Sequence, residues 1–494
     1  MKRIIIATLF LCFFIGINAQ NISRSQAIAD IDTLLYTLTE VHPNLYDKIS
    51  RSDLNDKIVN LKAGLQGLCQ REESSLIEFS SAAEARLCQG SCQRAESSSH
   101  EFSSAAEARL CQDSIYAIEL YGLIAPIVAQ IGDAHTTMVL PYRDVMLKVG
   151  KYIPVYPTID NNTGKIYVKA SVGNLVPYDS EIVSINDVSA KEMKDRMLMF
   201  VGGEREFFRL SMIDNNIMGL FHYLFAAQEY AITYIEPGSK EKKSITLKPV
   251  EANKLNSELV LSPKIMRLMS EHGSGEPYSF RIIDDKPVAV MNFDACQDVN
   301  GMKAFADSMF TELRKRDIKH LIIDMRYNGG GNSAVGDVLL SYIAPKPFAQ
   351  YGKTLIKVKP TTIALTGNRY EKPGTLLYPE DPDSRHEPLP IAQRFAGNVF
   401  LLTSHTTFSS ASSFAWAFKE AGCGMIIGEE TGGMSVHYGD VVSFKLPNSG
   451  LVINVSHKRF WLPGADENDI HGVLPDILCP QEHALETAID CIDN

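Results

Sequence analysis

Between Asn398 and Ser435 the chain reads NVFLLTSHTTFSSASSFAWAFKEAGCGMIIGEETGGMS, and the order of its apolar residues leaves little freedom. Val399–Leu402 is a continuous apolar run of strand length, and Phe408, Ala411, Ala415 and Phe418 then recur at helical spacing before a second short run from Gly424 to Gly428. The pattern predicts strand, tight turn, helix, strand. Ser409 and Ser410 fall in the first turn of that helix, where unpaired backbone N–H groups and the helix dipole stabilise negative charge. A serine nucleophile suits this position, and so does a helix N-cap. The stretch alone leaves both open.

The alternation begins earlier, at Tyr278. KPVAVMNF reads as a strand, Met302 to Lys315 as an amphipathic helix, HLIIDMR as a buried strand and Ser333 to Ile343 as a helix. Such an order implies a largely parallel sheet with right-handed crossovers and function at the C-terminal strand ends. At one such end stands IIDMRYNGGGN, residues 322–332. Three glycines there free the backbone N–H groups to face an anion or oxyanion, although a plain tight turn has the same composition. The Pro-rich excursion from Pro345 to Gly397 is expected to wall a cleft at this edge.

Upstream, residues 150–250 are β-rich, with strands expected at YIPVYPTID, GKIYVKA, SEIVSIND, YAITYIE and KSITLKPV. The piece DSEIVSINDVSAKEM resembles an element of PDZ domains, with Asp179, Ser180 and Asp187 where that element usually has Gly, Asp and Gly. Helices are expected over Ser23–Val41 and from about Ile115 to Gln130, and EFSSAAEARLCQ occurs between them at Glu78–Gln89 and again at Glu101–Gln112. Perfect copies without a structural period read as a duplicated flexible insertion rather than a stacked repeat.

Lys2 and Arg3 followed by an apolar core from Ile4 to Ile17 read as a cleavable secretory signal, and no later stretch reaches membrane-spanning length. The net charge of −11 lacks any concentrated basic stretch, which argues against nucleic acid as a partner. The nine cysteines show no metal-ligand spacing.

The segment IGDAHTTMV, residues 131–139, places His135 in a loop after the second helix, where a histidine is suited to act as a base near neutral pH. GDAHT, LIIDMRYNGGG, TSHTTFSSASSF, GEETGG and HGVLPDI, together with VHPNLY at Val41–Tyr46, resemble in order and spacing the tail-specific (carboxy-terminal processing) serine peptidases, in particular secreted bacterial members. The resemblance implies Ser409 as nucleophile, His135 as general base, and the amides of Ser410 and of Gly330 or Gly331 as the oxyanion hole. Met434 occupies the position of the lysine base of the tail-specific branch, which points to the tricorn-like branch with its histidine base. The orienting acid is then expected at Asp469, with Glu467 as competitor. Ser412 stands where members commonly carry an acid, and His437 and His471 are rival bases.

The expected organisation is an α/β multidomain chain: a signal peptide at 1–19, an N-terminal helical region at 20–145 with the repetitive insertion at about 68–112, a PDZ-like domain at 146–252, and a crotonase-like catalytic core with a parallel sheet at 270–494. The expected activity is hydrolysis of peptides or unfolded protein tails in the periplasm or outside the cell, without metal or organic cofactor. The competing reading is a non-catalytic protein that binds a peptide or apolar ligand on the same fold.

Overall fold

The computed structural model describes residues 21–66, 114–272, 275–367 and 372–493. The expected signal at 1–19 and the repetitive segment at about 68–112 lie outside them.

The strand–helix alternation becomes a six-stranded sheet in the spatial order Tyr278–Ile282, Val288–Phe293, His320–Asp324, Asn398–Thr403, Met425–Gly428, Ile477–Leu478. Its first pair is antiparallel and the others are parallel. Alternate residues of one strand serve two cores. Ala289, Met291 and Phe293 share a cluster with residues of the helices Val299–Lys315, Ser333–Ile343 and Ser410–Ala421, whereas Val288 and Val290 pack with Ala484, Leu485 and Ala488 of the C-terminal helix. A parallel strand covered on both faces needs the continuous apolar runs seen here. Register sets Asp324 opposite Leu402 and Thr403 opposite Gly428, so the loops leaving these three strands emerge side by side.

The excursion after Pro345 is more structured than a cleft wall. Its strands Thr354–Val358 and Gly374–Tyr378 join the long hairpin Val436–Lys445 and Val452–Trp461 in a five-stranded sheet. The fifth strand is Thr137–Met138, which pairs Met138 with Ile453 and Thr137 with Asn454. This pairing carries the loop of His135 onto the C-terminal half of the chain.

Residues 155–261 build a seven-stranded sheet whose core takes in the helices Ala190–Leu198 and Glu206–Phe225. The longer helix is absent from the β-rich expectation. Asp179, Asn186 and Asp187 have φ of 62°, 50° and 63°. Asp and Asn are the non-glycine residues that tolerate this left-handed backbone, which accounts for Asp179 and Asp187 at positions where glycine was expected.

The N-terminal helix Arg24–Val41 starts with a capping box between Ser23 and Gln26. Its Ile31, Leu34 and Leu38 share a core with Leu446, Ile453 and Val455 of the hairpin. Asp30, fully buried on this helix, accepts hydrogen bonds from Asn448 N (3.0 Å), Asn448 Nδ2 (2.8 Å) and Ser449 N (2.7 Å) in the hairpin's turn. The two ends of the chain therefore form one structural unit.

Candidate active site

The strand Asn398–Thr403 ends in a turn stitched to the loop of the neighbouring strand. Ser404 Oγ donates to the Arg326 carbonyl, Thr407 Oγ1 to the Met325 carbonyl at 2.9 Å, and Phe408 N to the Asn328 carbonyl at 3.1 Å. The helix then begins at Ser410. Ser409 precedes it with φ 54° and ψ −128° and caps nothing with its side chain. A non-glycine residue held in such a conformation is strained, and strain of this kind collects at functional sites. Ser412, at the position of the expected acid, donates from Oγ to the Thr407 carbonyl (2.8 Å) and accepts from Gly433 N (3.1 Å).

The glycine loop lies directly against this turn. A Cβ on Gly330 would approach the Phe408 carbonyl oxygen and Ser409 Cβ to 2.7 Å, so only glycine fits there. Its φ of 99° and the 135° of Gly331 also favour glycine. Ser410 Oγ donates to the Gly331 carbonyl at 2.7 Å and fixes the loop to the helix start. The Gly330 amide is engaged, because it donates to Asn328 Oδ1 at 2.8 Å. Of the two glycine amides named from the sequence, Gly331 is thus the one left to pair with the Ser410 amide, which as a first-turn N–H has no partner within its helix.

His135 reaches the same place from the N-terminal region. Its Nε2 lies 3.1 Å from Ser409 Oγ, and its ring stacks on Phe408 with centroids 4.5 Å apart and planes inclined by 27°. Phe408 stacks in turn on Phe208, near the start of the helix Glu206–Phe225. The His135 backbone N–H donates to Asp133 Oδ1 (2.9 Å), and Asp133 Oδ2 accepts from Thr136 Oγ1 (2.5 Å), Ser456 Oγ (2.6 Å) and His42 Nε2 (3.3 Å).

Burial pushes the His135 pKa below the ordinary histidine value, and the charges of Asp133 and Asp440 oppose that shift. Burial alone would raise Asp133, but the hydrogen bonds it accepts from His42 and Ser456 outweigh it and hold the carboxyl well below its usual range. Glu204 is pushed up to about 8 by burial and by the Asp133 charge beside it.

The rival histidines are occupied elsewhere. His437 Nδ1 donates to the Met434 carbonyl at 2.9 Å, and burial lowers this ring to about 4. His471 Nδ1 lies 3.2 Å from Glu430 Oε1. The acids expected from the sequence have these neighbours in the structure. Glu467 accepts from Trp461 Nε1 at 2.9 Å and pairs with Lys353 at 3.4 Å, and Asp469 accepts the backbone N–H of His471 at 2.9 Å. None of these contacts is to His135, and the acids facing His135 are Asp133 and Asp440. Asp133 was visible in the GDAHT motif, but its partners His42 and Ser456 lie too far away in sequence to be read with it. Among the described residues no cluster of three or more His, Cys, Asp or Glu side chains has metal-holding geometry, and no helix is long and apolar enough to cross a membrane.

Solved structures share this architecture. Mature CPAF superposes with a TM-score of 0.60 at 12% identity, covering 95% of this chain and 96% of that one. Mature CPAF complexed with lactacystin gives 0.59 at 12% identity, with 95% and 97% covered. The photosystem II D1 C-terminal processing protease is matched at 17% identity over 74% of this chain and 82% of that one, with a TM-score of 0.35. The CPAF likeness speaks for the mixed α/β fold, and the sequence speaks for the family. Residues 288–479, from the second strand of the six-stranded sheet to just beyond its last, match peptidase family S41, and this match makes the chain a serine peptidase.

Proposed function

We propose that this peptidase hydrolyses peptides or unfolded protein tails through an acyl-enzyme on Ser409, with His135 as the base, as in the tricorn-like branch. The observation that carries the reading is the 3.1 Å approach of His135 Nε2 to Ser409 Oγ. Ser409 Oγ attacks the scissile carbonyl while its proton passes to His135 Nε2. The Ser410 and Gly331 amides donate to the developing oxyanion. The imidazolium is stabilised by the charges of Asp133 and Asp440 and then protonates the leaving amine. Water attacks the acyl-enzyme by the same route.

The proposed organisation assigns residues 270–494 to a crotonase-like core and 146–252 to a PDZ-like domain that offers a strand edge to an extended peptide. The N-terminal region supplies the base, and residues 1–19 direct export to the periplasm or beyond. The test is labelling with a fluorophosphonate. Wild type is expected to label, whereas Ser409→Ala and His135→Ala label at background; equal labelling of wild type and Ser409→Ala rejects the assignment.

A further inference from the structure

His42 belongs to the VHPNLY segment and is 1% exposed. Its tautomer follows from its neighbours. The Asn44 backbone N–H donates to Nδ1 at 3.2 Å, so Nδ1 carries no proton, and Nε2–H donates to Asp133 Oδ2 at 3.3 Å. The same carboxylate accepts the His135 backbone N–H at 2.9 Å, and its Oδ1 lies 3.9 Å from His135 Nδ1. An unbroken series of contacts thus runs from His42 through Asp133 and His135 to Ser409 Oγ.

We propose that His42 is a positioning residue of the peptidase: its Nε2–H donor fixes the Asp133 carboxylate beside His135, and that carboxylate aligns the base on Ser409. The proposal rests on the reading of His135 as the base. Asp133 is faced by His42, His135 and Glu204, with Lys48 beyond Glu204, while His135 is faced by Asp133, Asp440 and His437. Asp133 and the part-buried Glu204 feel each other's charge and compete to be the ionised one. The donors on Asp133 from His42, Thr136 and Ser456 assign the charge to Asp133, next to the base. Without the His42 donor that charge is less secure, the imidazolium of His135 is less stabilised, and the acid limb of activity moves to lower pH while the plateau rate falls.

The test measures the second-order rate of fluorophosphonate labelling of the full chain between about pH 5 and about pH 9, for wild type, His42→Gln, His42→Asn and Ser409→Ala. The amide nitrogen of Gln reaches the position of ring Nε2, and that of Asn reaches only the position of Nδ1. The Gln variant is expected within about threefold of wild type. The Asn variant is expected to be slower by about 10-fold to 100-fold, the effect of one buried donor lost to a charged group, with its acid limb displaced downward. Equal rates for wild type, Gln and Asn, with Ser409→Ala unlabelled, overturn the proposal. An equal loss in both variants also overturns it and leaves His42 a packing residue. Labelling of Ser409→Ala at the wild-type rate instead overturns the reading of Ser409 as nucleophile. Circular dichroism checks folding. Should the Asn variant not fold, the Gln variant decides: a rate within threefold supports the donor role, and a larger loss overturns it.

Discussion

At the residue scale, the proposed base His135 must begin the reaction uncharged, and burial favours that form. Because burial depresses His135, the labelling rate rises with pH through a midpoint below the ordinary histidine value of about 6.5 and is flat at neutral pH. A rate profile on labelling checks this, and a midpoint above about 7 contradicts it. Ser412 offers a second prediction. Its hydroxyl donates to one partner and accepts from another inside the nucleophile turn. Ser412→Ala removes both bonds and is expected to lower stability by about 1–2 kcal/mol in urea unfolding. Ser412→Asp is expected to lower it further, because an ionised carboxylate cannot donate to the Thr407 carbonyl and would be buried against it.

At the scale of elements, the end of the strand His320–Asp324 holds a buried ion cluster. Arg326 donates to both Asp324 oxygens, from Nε at 2.9 Å and from Nη2 at 2.6 Å. His272 bonds Asp294 at 2.8 Å and stands 3.4 Å from Asp324. Burial would lower His272, but the two carboxylates outweigh it and raise it to about 9. The raised value means that this group's stabilisation is complete below about pH 6.5 and is lost as pH climbs through about 9; its full size is on the order of 3 kcal/mol. Melting curves of wild type and His272→Gln should therefore converge across that window, and a constant gap sinks the account.

The strands of this sheet were legible because two covered faces demand unbroken apolar runs, and the helix Ser333–Ile343 has the bounds its sequence predicts. The helix Glu206–Phe225 was not, since it sits among strands and buries residues round much of its circumference. The strands within the 345–397 excursion pair with each other and join the hairpin through Thr354–Val358, a partner that no local pattern announces.

At the scale of the whole molecule, Asp30 holds the N-terminal helix to the hairpin that carries Ser456 and the sheet partner of Thr137–Met138. Asp30→Ala leaves three buried or part-buried donors unanswered and is expected to cost about 2–4 kcal/mol. Because the loop of His135 pairs with the same hairpin, labelling should fall in parallel with stability; unfolding curves beside labelling rates check both. The site was half legible for the same reason. Ser409, His135 and the glycine loop each stand in a short motif. The Asp133 partners and the true neighbours of Asp469 and Glu467 depend on which distant segments meet, and the spacing in HGVLPDI cannot report that.

The proposed nucleophile and base stand 274 residues apart along the chain. A ribosome makes His135 long before Ser409, and the strand Thr137–Met138 has no sheet to join until Val452–Trp461 has been synthesised. On the proposed mechanism, therefore, the unfinished polypeptide cannot yet cut, and activity arrives late and all at once.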